Sequence, residues 1–252
     1  MATSHGAIPA EIAKANIVIV SVRDTQLEPA LAEVLAAARK GTIQRGTAVL
    51  HTSAIAEPAA VTTLTELGFP SGTFHPLVPF TDPEISSELM KKSWIGIDGD
   101  TAAKNASRRL AGHIGARTLD IPPGRKAVYH AAAVLSSNFP VVLASVAGHL
   151  LNGIGVPEAS AYGAVESLMT GAFANIKQSS PDEALTGPVV RGDPDAIDKH
   201  LRALKSRPTT LAVYKALSLA AVEIAERQGT DAKKLAAVRG LLRAITAQES
   251  PQ

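Results

Sequence analysis

No cysteine occurs among the 252 residues, which excludes disulfides, thiolate catalysis and cysteine-ligated zinc. Aromatic side chains are scarce, at 4% against 46% hydrophobic residues; the apolar mass is alanine and small aliphatics, which suits closely packed helices better than an all-β fold. Neither sign of charge dominates: 25 Lys and Arg face 23 Asp and Glu, and they are dispersed. A nucleic-acid patch and a polybasic membrane segment are therefore not expected. The seven histidines show no paired ligand spacing, so no metal is expected. The start lacks a charged region followed by an apolar run, and no uninterrupted apolar stretch reaches about 18 residues. A soluble, cytoplasmic protein without a membrane partner is the expectation.

What is present reads first as alternation. Ile17, Val18, Ile19 and Val20 are four consecutive β-branched residues, the mark of a strand buried on both faces of a parallel sheet. A helix is expected from Pro29 to Lys40, a strand at Ala48 to Leu50, a helix from about Pro58 to Leu67 and a strand at Gly72 to His75. The proline-rich loop Pro76 to Pro83 reads as a span across the top of the sheet. Strand, helix and strand follow at Trp94 to Asp98, Thr101 to Ile114 and Arg117 to Ile121. Ligands of open α/β sheets bind at the carboxyl ends of strands. Three such ends carry polar side chains: the stretch Ser21, Val22, Arg23 and Asp24, and His51, Thr52 and Ser53, both expected to bind a cofactor, and His75. For His51 to Ser53, contact with a ligand and capping of the next helix are both open readings.

Pro122, Pro123 and Gly124 mark a boundary, after which the pattern is helical. The segment Arg125 to Val156 reads as one long, largely buried helix, interrupted by Pro140 with a kink near Asn138. At about 100° per residue, Lys126, His130 and Ser137 fall within roughly 40° of one another. For Lys126 a surface lysine with a buried stem is the competing reading, and for His130 a hydrogen-bonded core histidine. Helices at 158–177, from Asp193 with Pro194 to about Lys205, at Thr209 to Gln228 and at Asp231 to Gln248 complete the chain. The apolar faces Leu211 to Ile224 and Leu235 to Ile245 suggest a homodimer.

Four blocks carry a resemblance: HTS at 51–53, FHPLVPFTDP at 74–83, KAVYHAAAVLSSNF at 126–139 and ALTGPVVRGD at 184–193. Together they resemble the Rossmann-like proteins whose C-terminal half is known as domain of unknown function 2520, over about Ile12 to Arg227. Those proteins are similar in layout to pyrroline-5-carboxylate reductases, hydroxyisobutyrate dehydrogenases and reductases that pair NADP with a deazaflavin. The resemblance implies an α/β then all-α chain. An N-terminally truncated Rossmann-like parallel sheet (1–122) would precede a helical domain like that of 6-phosphogluconate dehydrogenase (125–248). It also implies an oxidoreductase that uses NADP or NAD on a small-molecule substrate in the cleft between the two. Lys126 is then the proton carrier, His130 a second carrier or orienting group, and Asn138 a clamp on substrate. His75, Ser137 and Arg191 line the substrate site, with a loop-bracing role as the alternative for Arg191.

One departure bears on all of this. The family's strand, G-x-G-x-x-G turn and helix, which hold a pyrophosphate on backbone N–H groups, have no counterpart in the chain. Gly153 and Gly155 stand at a helix end before Pro157, the wrong context. The opening residues align just upstream of the family's fourth strand, so a late start and a shortened relative are both open. The alternative function is a non-catalytic ligand-binding or dimerisation protein.

Overall fold

The computed structural model describes residues 8–244 and divides into two compact units, Met1–Pro140 and Val141–Gln252. The boundary falls at Pro140, inside a helix, rather than at the Pro-Pro-Gly turn. The first turns of that helix bond to the sheet and so belong to the first unit.

The first unit begins with a short 3-10 turn at Ala10–Lys14 and builds a five-stranded sheet: β1 (Ile17–Val20), β2 (Ala48–His51), β3 (Ser71–Pro76), β4 (Trp94–Ile97) and β5 (Arg117–Asp120), in the spatial order of the sequence. Helices α1 (Asp24–Arg39), α2 (Ala59–Glu66), α3 (Pro83–Met90) and α4 (Thr101–Ile114) connect them. Two apolar cores result. Leu27, Leu31, Val34, Ile43 and Leu64 pack with Val20 and Val49, and Leu50, Phe74, Ile95 and Ile97 pack with Ala103 and Ala111.

Three expectations need correction. First, α1 starts at Asp24 with Pro29 inside it, five residues ahead of the expected start. Second, β4 runs antiparallel to β3, while β1–β2–β3 and β4–β5 are parallel. The connection between them holds α3, which was not expected: Asp82 caps it by accepting from the Glu84 and Ile85 amides, with Pro83 in its first turn. Its length is not what reverses the strand, because α2, also eight residues long, joins the parallel strands β2 and β3. Third, β1 is an edge strand, with Ile19 43% exposed, so burial on both faces does not hold for it.

The chain then becomes helical: α5 (Lys126–Asn152), α6 (Glu158–Gln178), α7 (Pro181–Ala184), α8 (Pro194–Ala203), α9 (Pro208–Arg227) and α10 (Ala232–Arg243). Asp193 caps α8 with its side chain, as read from the sequence, and Asp231 does the same for α10. The second unit's core is Ile197, Val222, Ala225, Leu235, Val238 and Leu242. Val189, from the 184–193 block, joins this core, and Thr230 Oγ1 donates to the Val190 carbonyl.

Helix α5 overturns a fourth expectation, because it is mostly exposed: Val128 is 68%, Leu135 61% and Val141 70% exposed. It continues through Pro140. By length and composition it is the described helix apolar enough to cross a bilayer, with mean hydropathy 1.6 over its most apolar window. Its first turn is nonetheless committed to the sheet.

Candidate functional site

The register places His51 opposite Thr73, and Asp98 follows the last residue of β4 on the other side of β3. Lys126, in the first turn of α5, lies over this row and is 5% exposed. Its ammonium donates to the Ala56 carbonyl at 2.8 Å and Thr73 Oγ1 at 2.7 Å, and pairs with Asp98 Oδ2 at 3.0 Å. An ammonium has three N–H donors, and three acceptors take them. The loop that presents the Ala56 carbonyl is braced by Ser53 Oγ, which accepts from the Ala56 amide at 3.1 Å. Ser53 therefore neither caps α2 nor stands free, and Thr52 donates its amide to the Val20 carbonyl.

Burial pushes the Asp98 carboxyl up, but hydrogen bonds from Thr73 and Lys126 outweigh it and hold the group below the ordinary carboxylate range. Thr73 also gives its amide to Asp98 Oδ1 at 2.8 Å. His51 Nε2 is 3.3 Å from Thr73 Oγ1. With the hydroxyl proton directed to Asp98, Nε2–H donates to Thr73 and Nδ1 is left buried without a partner among the described residues. A second ring proton would have no acceptor. Burial, aided by the Lys126 charge and opposed by Asp98 and Asp24, holds His51 down at about 4.

One helical turn on, Tyr129 Oη lies 2.7 Å from His75 Nδ1. Burial pushes the phenol up to about 12. Burial first, and then neighbouring His130, lowers His75 to about 4. Both groups are thus neutral near pH 7, and either can donate in the shared bond. The His75 and His130 rings meet edge-on at 6.4 Å, and His130 Nδ1 is buried without a partner among the described residues. Space for the phenol comes from Gly96, opposite His75 in the register; a Cβ there would stand 2.1 Å from Tyr129 Oη.

Of the expected residues, Lys126, His130, His75 and His51 come together. Asn138 and Ser137 are exposed on α5, and so are Ser21, Val22, Arg23 and Asp24 around the start of α1, where Arg23 takes the cap position without a side-chain cap bond. Arg191 lies in the second unit, exposed, in a loop fixed by Val189 and Val190. Thr73, Asp98 and Tyr129 were missed. Tyr129 carried a signal, being three residues from Lys126 on the same helical face; Thr73 and Asp98 needed the strand register.

Residues 93–221 match the family described as Domain of unknown function (DUF2520), about half of the chain. The chain belongs to the DUF2520 family. Among solved structures, protein TM1727 from Thermotoga maritima is 25% identical and superposes with a TM-score of 0.67, covering 84% of this DUF2520 chain and 79% of its own. A Plasmodium falciparum pyrroline carboxylate reductase, solved with NADP bound, is 12% identical with a TM-score of 0.52, covering 88% and 77%. An imine reductase from Myxococcus stipitatus, in complex with NADP+, is 14% identical with a TM-score of 0.52, covering 92% and 82%. The last two establish likeness of fold. No protein of curated function matches. The DUF2520 chain is thus a five-stranded, mostly parallel, Rossmann-like sheet followed by a helical part.

Proposed function

We propose that this DUF2520 protein is an oxidoreductase that uses NADP or NAD on a small-molecule substrate. The observation that carries the reading is the titratable cluster His51, Asp98, Lys126, His75, Tyr129 and His130, assembled on a Rossmann-like sheet whose fold is shared with NADP-bound reductases. A nicotinamide would supply or accept the hydride. The residues fit such a group only in part. Arg23 and the uncapped start of α1 offer a cation and free amides to a phosphate, whereas the chain has no glycine-rich turn to cradle a pyrophosphate. His75 and Tyr129 offer neutral donors and acceptors to a substrate carbonyl, imine or alcohol. Calorimetry with NADPH and NADH tests the reading. Weak binding, in the high-micromolar to millimolar range, is the expected result; no heat with either nucleotide at millimolar concentration would leave the alternative, a non-catalytic ligand-binding or dimerisation protein. A cytoplasmic location is part of the same reading.

We also propose a homodimer, though not through the faces read from the sequence. Leu211, Val222, Leu235, Val238 and Leu242 are buried within their own unit, and Ile245 lies outside the described residues. An unpartnered apolar surface among the described residues lies on α5 and α6. From Glu166 to Gln178 every residue but Met169 is exposed, with Leu168 at 75% and Phe173 at 53%. A helix bare on all sides lacks the tertiary packing that gives helices most of their stability, and Ser136, Asn138, Ser145 and His149 interrupt α5 as a lipid-facing surface. A second copy supplies matching helices. Light scattering at micromolar concentration is expected to give twice the 26.1 kDa chain mass; a monomer mass refutes the dimer.

A further inference from the structure

Resting on the oxidoreductase reading, we propose that Lys126 is a positioning residue rather than the proton carrier, and that the Tyr129–His75 pair it holds in place is the group left to face the substrate. Three observations carry this. All three ammonium donors are taken by acceptors within 3.0 Å, from the loop after β2, from β3 and from the residue after β4. The side chain is 6% exposed, so a substrate atom reaches it only if that packing opens. Tyr129, one turn along α5, and His75 of β3 are only partly buried and bond to each other. A lysine that shuttles protons needs a donor free to leave and return. Lys126 instead works as a three-way tie that sets the height of the α5 start above β3 and β4, and with it the Tyr129 hydroxyl over Gly96.

Buried His51 has no opening to solvent, and Ser107 Oγ, likewise without a partner among the described residues, is wholly enclosed.

The test uses the cofactor-free chain, so absence of nucleotide binding would overturn the oxidoreductase reading, and with it the substrate-facing role of Tyr129 and His75, while the positioning role of Lys126 is read independently. Reductive methylation at neutral pH is expected to modify Lys91, whose side chain is 57% exposed, at least about a hundredfold faster than Lys126. Lys126→Met is expected to lower the melting temperature by about 10 °C and to change the His75 Nδ1 signal of a bonded nitrogen, although it touches neither His75 nor Tyr129. The double variant Asp98→Asn, Lys126→Met should recover much of that loss. Tyr129→Phe should change the same signal at nearly unchanged melting temperature. Methylation of Lys126 as fast as Lys91, or a Lys126→Met protein with an unaltered His75 signal, overturns the assignment. Methylation needs no variant, so a Lys126→Met chain that fails to fold leaves it decisive.

Discussion

Gly72→Ala is expected to cost roughly 3–5 kcal/mol, enough to unfold much of the first unit. A Cβ on Gly72 would sit 2.1 Å from the Asp98 carbonyl oxygen and 2.9 Å from Gly99 Cα. Both are backbone atoms of the turn after β4. That turn cannot move aside, because the Asp98 and Asp100 carboxylates in it accept from the Thr73 and Ser71 amides of the strand Gly72 belongs to. Gly96→Ala makes an equally short approach, 2.1 Å, but to Tyr129 Oη, the end of a side chain with two rotatable bonds. It should cost about 1–2 kcal/mol while breaking the Tyr129–His75 bond. Urea denaturation of both variants checks the ranking, and a Gly72→Ala protein as stable as wild type would contradict it.

Acid should weaken the first unit well before its carboxylates titrate. His51 is held near 4 in the folded chain and returns to about 6.5 when unfolded. Between those values the unfolded chain binds the extra proton, so stability is full above about pH 6.5 and falls as pH drops towards 4. The gap corresponds to about 3 kcal/mol at 1.36 kcal/mol per tenfold, a sizeable share of a typical margin of about 5–15 kcal/mol. His75 acts in the same window and direction. Asp98, whose carboxyl is depressed, adds its loss only as pH falls further, through its own folded value. Urea midpoints at pH 7, 5.5 and 4.5 should fall steadily for wild type and less steeply for His51→Gln. Equal slopes for the two proteins would remove His51 as the cause.

The fold was legible where local chemistry decides it. Asp193 before Pro194 announced α8, and four β-branched residues announced β1. The same Asp-Pro signal at Asp82 and Pro83 went unread because the prolines around it suggested a loop. That one omission hid the reversal of β4: seventeen residues separate β3 from β4, enough for a crossover to a parallel strand, so length does not decide direction. The site was legible along one helix, through Lys126 and His130, and illegible across strands. Which residue of β2 stands beside Thr73 is a matter of register, and a slip of one position would send His51 to the opposite face. Exposure of α5 was misjudged for a related reason, since an apolar pattern shows that a face will be covered but not which chain covers it.

The reversal of β4 also shapes the electric field around the sheet. Helices α1 and α2 begin beyond the carboxyl ends of β1 and β2, each bringing about half a positive charge to that rim. In an all-parallel sheet α4 would add its own; here it begins beside Ser71, at the opposite rim, where its first-turn amides are answered by Asp100. An anion approaching the rim that holds His75 therefore meets two helix ends and the Arg23 guanidinium, and the far rim is already neutralised.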